Sequence, residues 1–235
     1  MRTAIRAGAC GLILLLSMAA AASAQEKAAP YPTPSSFEPF LIASPAEEIA
    51  LARSAAPASI SNDAEILTLG RAGYETAVKG RNGFVCLVDR SWSKPFDDPE
   101  FWNPKMRAPE CDNAVAARSV LPIFRQRTSW VLAGVPKAEI ARRTHAALAA
   151  GTLGAPEPGA MVYMMSRQGY IADGAAPHWH SHVMFYFPLT DGAAWGAGQP
   201  GAPVYSADDD AIGITTFFVL APKWSDGTSA AMEMK

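Results

Sequence analysis

His178, His180 and His182 occupy every second position of His178-Trp179-His180-Ser181-His182. The segment runs into the apolar stretch Val183 to Phe187, which Pro188 closes, and reads as a β-strand. Strand side chains alternate between faces with period two, so all three imidazoles are expected on one face, continued by Met184 and Tyr186. Clustered imidazoles ligate zinc and copper and also serve as acids and bases near neutral pH. The chain carries only one other histidine, His145.

Strand geometry limits how the three can act together. Residues i and i+2 lie about 6.6 to 7 Å apart at Cα, whereas i and i+4 lie about 13 Å apart. One ion is therefore expected to take His178 with His180, or His180 with His182, unless a bulge bends the strand. The missing ligands are sought in His145, Asp173, Asp191, Glu157 and the run Asp208-Asp209-Asp210. With imidazole as the dominant donor, Zn or Cu(II) is favoured over magnesium. The alternative keeps the histidines solvated while Trp179, Val183, Phe185 and Phe187 face the core.

A second candidate surface is the aromatic set Trp92, Phe96, Phe101 and Trp102, within a stretch that also carries Pro95, Pro99, Pro104 and Pro109. These rings could stack on a sugar, peptide or apolar ligand, or could tuck a proline-rich loop onto the core. Gly196 to Gly201 formally fits the dinucleotide pattern GxGxxG, but Pro200 interrupts it and no helical run follows, so it reads as a loop. The chain has no GxSxG elbow, P-loop or HExxH. Catalytic residues are unassigned at this level, as is any bound organic cofactor.

The elements that must position these residues read as α+β. Ser44-Pro45-Ala46-Glu47 is a capping-box pattern opening a helix that stops near Pro57. Residues 65 to 89 read as strands, with Gly80-Arg81-Asn82-Gly83 as the turn of a hairpin joining Tyr74–Lys79 to Phe84–Val88. A helix is expected around 112 to 128, with Asp112 as N-cap and Pro122 as a kink or break, and another from Pro136 to about Ala150. Met161–Met165, the histidine segment and Ile214–Leu220 are the remaining strands, and Asp208 to Asp210 reads as a solvated turn. The expectation is a mainly antiparallel sheet with two or three helices and one disulfide.

Residues 1–24 read as an export signal: Arg2 and Arg6, an apolar core from Leu12 to Ala22, and the cleavage pattern Ala22-Ser23-Ala24. Cys10 precedes that core, the wrong side for a lipid anchor. No later segment reaches the ~20 apolar residues of a membrane span. The expected mature chain has a Pro-rich, extended or mobile arm over 25–43 and a single globular domain over 44–235. Removing the signal takes two of the 20 basic residues and none of the 22 acidic ones, leaving a formal charge of −4. Such a chain is a poor nucleic-acid partner. Cys86 and Cys111 are then the remaining cysteines, and an even pair in an oxidising compartment most simply forms a disulfide. Two free thiols, one of them catalytic, would need a nearby base that the flanking sequence does not supply.

Two resemblances bear on these residues. Gly174 four residues before His178-x-His180 resembles the first motif of cupins, without that motif's glutamate and without a second histidine motif. Asn82-Gly83-Phe84-Val85-Cys86-Leu87-Val88, together with His182-Val183-Met184-Phe185-Tyr186-Phe187-Pro188, resembles an uncharacterised family of exported bacterial proteins. That second resemblance implies an exported chain in which His182 belongs to the shared scaffold or site, and it implies no activity. The expectation is thus an exported, periplasmic or secreted protein with a candidate transition-metal site at His178, His180 and His182. The alternatives are a metal-free structural or binding protein with a protein or small-molecule partner, and a zinc-dependent hydrolase acting through a metal-bound water.

Overall fold

The computed structural model describes residues 30–173 and 179–230, so the export segment at 1–24 and His178 lie outside the described residues. Eight strands form one sheet in the order β2-β1-β3-β4-β5-β6-β8-β7. They are β1 (Glu65–Gly70), β2 (Gly73–Val78), β3 (Val85–Asp89), β4 (Ala108–Asp112), β5 (Met161–Met164), β6 (His182–Pro188), β7 (Val204–Asp209) and β8 (Ile214–Leu220). All pairings are antiparallel except β1 with β3. The helices are α1 (Pro45–Arg53), the short α2 (Ala58–Ser61), α3 (Ala114–Ser119), α4 (Leu121–Leu132) and α5 (Lys137–Ala149). The α+β, mainly antiparallel expectation holds, with three helices of substantial length.

Helices cover both faces of the sheet. On one face α1 packs Ala52, with Ala55 and Ala56 beyond its end, against Ile66, Cys86, Val88 and Cys111. Ser44 caps α1 by accepting from the Glu47 amide, as the Ser-Pro-x-Glu pattern dictates. A buried ion pair ties this helix to the sheet: Arg90 donates to Glu48 at 2.8 Å and to the Phe40 carbonyl at 2.6 Å. The same Glu48 oxygen also accepts from the Leu69 amide. The opposite face carries α3, α4 and α5, which bury Leu121, Ile123, Val131 and Ile140 toward the sheet.

Cys86 and Cys111 stand directly opposite each other on β3 and β4 and are joined by a disulfide. The arm is extended but packed rather than loose, since Phe40 is 1% exposed and packs on Trp92 with ring centroids 5.0 Å apart. Trp92, Phe101 and Trp102 are buried in the same cluster, and Phe96 stacks on Phe101 at 5.6 Å. The aromatic set is therefore core that holds the proline-rich loop down, the packing outcome of the two readings above.

Several expectations are corrected. The Gly80–Gly83 turn does not close a hairpin, because β2 and β3 lie on opposite sides of β1. The true hairpin joins β1 to β2, closing at Gly70 and Gly73. Residues 79–84 instead cross the start of β1, where Arg81 donates to the Asp63 carbonyl and a Cβ at Gly80 would collide with the Glu65 backbone. Asn82 braces that crossing by donating to the Ile60 carbonyl. The cap of α3 is Asn113, which accepts from the Ala116 amide, while Asp112 is the buried last residue of β4. At Pro122 the outcome is a break rather than a kink: α3 ends at Ser119, and Pro122 stands in the first turn of α4, where its missing N–H costs nothing. Asp208 and Asp209 end strand β7 rather than forming a turn, and Asp208 accepts from Thr215 at 2.7 Å.

The disulfide closes a sequence separation of 25 residues, worth about 3.5 kcal/mol in the chain-entropy view. Without reductant neither cysteine should be alkylated, as read by mass spectrometry. A Cys86→Ala/Cys111→Ala variant should lose about 3 kcal/mol in denaturant unfolding. Free thiols in the unreduced protein would contradict the bond.

Candidate functional site

The register of β3 and β4 places a row of acids on the helix-bearing face. Leu87 pairs with Glu110, Val85 with Asp112 and Asp89 with Ala108. With Cys86 and Cys111 turned toward α1, the alternating residues Asp89, Glu110 and Asp112 turn the other way. All three are buried, at 6%, 4% and 2% exposure.

Next to these acids, the same face of β4, β5, β6, β8 and β7 borders a cavity of about 680 Å³. Its walls are largely apolar: Met106, Met164, Met184, Ile214 and Phe218 rise from the sheet and Phe124 comes down from α4. Asp89 and Glu110 stand in its wall, with Asp209 and Tyr205 from β7 and His180 and His182 from the approach to β6. Ser93, Lys94 and Pro95 complete one side. That side is held by Arg127 of α4, which is fully buried and donates to the carbonyls of Trp92, Ser93 and Lys94 at 3.0 to 3.3 Å. Its guanidinium also lies 4.2 Å from the centre of the Phe96 ring.

The electrostatics of the acids follow from burial. Desolvation pushes Asp89 up to about 6, against the opposing pull of its hydrogen bond to Ser93 and the charges of Arg90 and Arg127. Glu110 is pushed well above the carboxylate range by burial first, and then by Asp89 and Asp112. Asp112 is pushed up in the same way, and its Oδ2 has no hydrogen-bond partner among the described residues. The Glu110 carboxyl likewise makes no hydrogen bond among them. Burial lowers Arg127 to about 10, which leaves it charged at neutral pH.

The histidines are arranged differently from the strand expectation. β6 begins only at His182, so His180 lies in the irregular segment that leads into it. The His182 Nδ1 donates to the His180 carbonyl at 2.6 Å, which assigns the proton to Nδ1 and leaves Nε2 as acceptor. Its ring sits 5.7 Å from Trp179 and 5.8 Å from Phe218, and burial lowers its pKa, which favours the neutral imidazole. The face shared by His182, Met184 and Tyr186 is the inner one, whereas Val183, Phe185 and Phe187 look toward the other side.

The other sequence-derived ligand candidates are engaged elsewhere. Glu157 pairs with Arg118 at 2.7 Å, Asp191 accepts from the Ala193 amide, and Asp173 takes Lys105 at 2.8 Å together with the Tyr31 and Tyr170 hydroxyls. His145 is exposed on α5. Among the described residues no three metal-ligating side chains converge. The GxGxxG segment is a loop whose glycines take positive φ, with no helix after it. Sequence reasoning missed Asp89 and Glu110, although a signal existed. Once Cys86 and Cys111 are paired across two strands, their register follows, and every residue one step away must share the opposite face.

Raised carboxyl pKa values make stability fall as pH rises, because the folded chain holds protons that the unfolded chain has released. For Asp89 the loss runs from the unfolded value of about 4 up to about 6, and Glu110 and Asp112 extend it upward. Thermal unfolding should therefore occur at higher temperature at pH 5 than at pH 8. Glu110→Gln should flatten that slope by up to about 1.4 kcal/mol per pH unit. A melting temperature that rises from pH 5 to 8 would contradict the buried acids.

Compared with models of known families, with curated proteins and with solved structures, the chain matches none.

Proposed function

We propose that this chain is an exported, disulfide-bonded binding protein that takes a small, largely apolar molecule into the cavity beneath α4. The observation that carries the reading is the cavity itself. At about 680 Å³ it has the size of a small-molecule site, and its apolar walls meet a few buried polar groups at one end. Space of this size beside close-packed clusters forfeits dispersion contacts, a cost that an occupant recovers. Export is supported by the signal-like residues 1–24 and by a disulfide suited to an oxidising compartment.

Nile red, a neutral dye that brightens in apolar surroundings, tests this reading. The protein should bind it with one-to-one stoichiometry. Met184→Trp, which places an indole in the cavity beside β8, should weaken binding about tenfold or more while the far-ultraviolet circular dichroism stays native. Unaltered dye binding in that variant would place the dye elsewhere and remove the support.

A second reading is favoured by one observation: His180 and His182 both line this cavity, and the Nδ1 bond of His182 presents Nε2 as a ligand atom. A zinc or copper ion at these two imidazoles, with His178 as a further donor, would make the site metal-dependent. Zinc usually takes four ligands, three of them from the protein in catalytic sites, so hydrolysis would need one more side chain at the ion. Metal content measured by inductively coupled plasma mass spectrometry on untagged protein decides this. Stoichiometric zinc or copper, lost in His180→Ala/His182→Ala, supports the metal reading, and protein that takes up neither metal refutes it.

A further inference from the structure

We infer that the cavity selects a cationic ligand, an apolar organic amine whose ammonium group is received by Asp89 and Glu110. The inference deepens the binding reading above and rests on it.

The first ground is an unpartnered acceptor. Glu110 is 4% exposed, stands in the cavity wall and makes no hydrogen bond from its carboxyl among the described residues. A ligand donor placed at that wall supplies the partner that the chain does not. Asp89 lies on the same face one strand over, diagonal to Glu110 across the β3–β4 register. Diagonal neighbours of this kind lie about 7 to 8 Å apart at their backbones, within reach of a single donor group between them.

The second ground is the balance of charge around the space. Asp89, Glu110, Asp208 and Asp209 line it, and Lys94 is the one lysine or arginine among its lining residues. The Lys94 ammonium is already taken by Asp98 at 3.3 Å and Glu100 at 3.8 Å. Arg127 lies behind the wall: its Nη1 donates to loop carbonyls, its Nε and Nη2 have no hydrogen-bond partner among the described residues, and its charge acts on Asp209 and Asp89. Burial lowers the pKa of His182, which disfavours a competing charge there, and His180 is the other imidazole lining the space. Asp112 also faces the acids from β4, and Tyr186 faces them from β6 as a phenol whose ionisation is opposed by burial and by these acids. The rings of Phe124, Tyr186, Tyr205 and Phe218 surround the apolar part, and such faces also favour a nearby cation.

An entering ammonium favours the ionised carboxylates, so binding should release protons and tighten as pH rises. Asp89, held up at about 6, sets the lower edge of that window. The carboxyl groups, not the amine, then govern the pH profile, because an alkylamine stays protonated throughout this range.

The test uses three probes with one hydrocarbon cage: 1-adamantylamine, 1-adamantanol and 1-adamantanecarboxylate, each competing with Nile red on the wild-type protein. At pH 8 the amine should bind about tenfold or more tighter than the alcohol, the increment of one charge-assisted hydrogen bond, and the carboxylate should bind weakest. Lowering the pH to 5 should weaken the amine about tenfold and leave the alcohol unmoved. In Asp89→Asn/Glu110→Gln the ratio of amine to alcohol affinity should approach one, with near-ultraviolet circular dichroism confirming the fold. If the alcohol or the carboxylate matches the amine, or the amine fails to displace the dye, the cation assignment is overturned while the cavity reading stands. If Nile red itself does not bind, the cavity reading falls first.

Discussion

The β3–β4 pair is the constraint on which the rest of the molecule depends. Cys86 and Cys111 face each other across it, and their bond fixes the register of two central strands by covalent means. Strand side chains alternate, so fixing the register also fixes which side chains share a face. The disulfide packs under α1, and Asp89, Glu110 and Asp112 are thereby sent to the opposite face, against the helices and the cavity. A slip of one residue would bring these acids under α1 and take Asp89 and Glu110 out of the cavity wall.

The same alternation separates two neighbouring charges. Asp89 and Arg90 adjoin in sequence but point to opposite faces, so the most obvious partner for the aspartate is used elsewhere. Arg90 goes to Glu48 and to backbone carbonyls, which gives a buried ion pair in which each guanidinium nitrogen has an acceptor. Asp89 keeps Ser93 and the more distant charge of Arg127, and Glu110 keeps nothing among the described residues. Two buried acidic systems therefore coexist in one sheet. One is ion-paired and anchors a helix; the other has no ion pair among the described residues and opens on an apolar space. Unmet polar groups in a folded chain call for an explanation, and a site that awaits a ligand supplies one.

Much of the architecture was legible because it rests on local rules. The capping pattern at Ser44, the proline ahead of α5 and the apolar runs of β5 and β8 each encode their own element. The pairing of β2 was not legible. Asn82-Gly83 has the chemistry of a hairpin turn, yet its side chain and backbone serve a crossing over the start of β1, a role visible only when β1 is in place. β4 was hidden among prolines, and β7 was hidden by its aspartates, which are tolerated at a sheet edge where Thr215 can donate to Asp208. At the site, the histidines were conspicuous by type, whereas the acids were unremarkable as letters and became notable only through burial.

The sequence by itself determined the secondary-structure class, the cysteine pairing and that His182, Met184 and Tyr186 share one face, because period-two patterning and an even cysteine count are properties of the chain alone. Only the tertiary structure decided that Trp92, Phe101 and Trp102 are core, that His180 precedes the strand, and that Asp89 and Glu110 share a dry wall. The reason is solvation. Whether a ring stacks on a ligand or on Phe40, and whether a carboxyl is charged, depends on what excludes water from it. That is set by segments far away in the chain, here an arm near residue 40, a helix near residue 124 and a strand near residue 207.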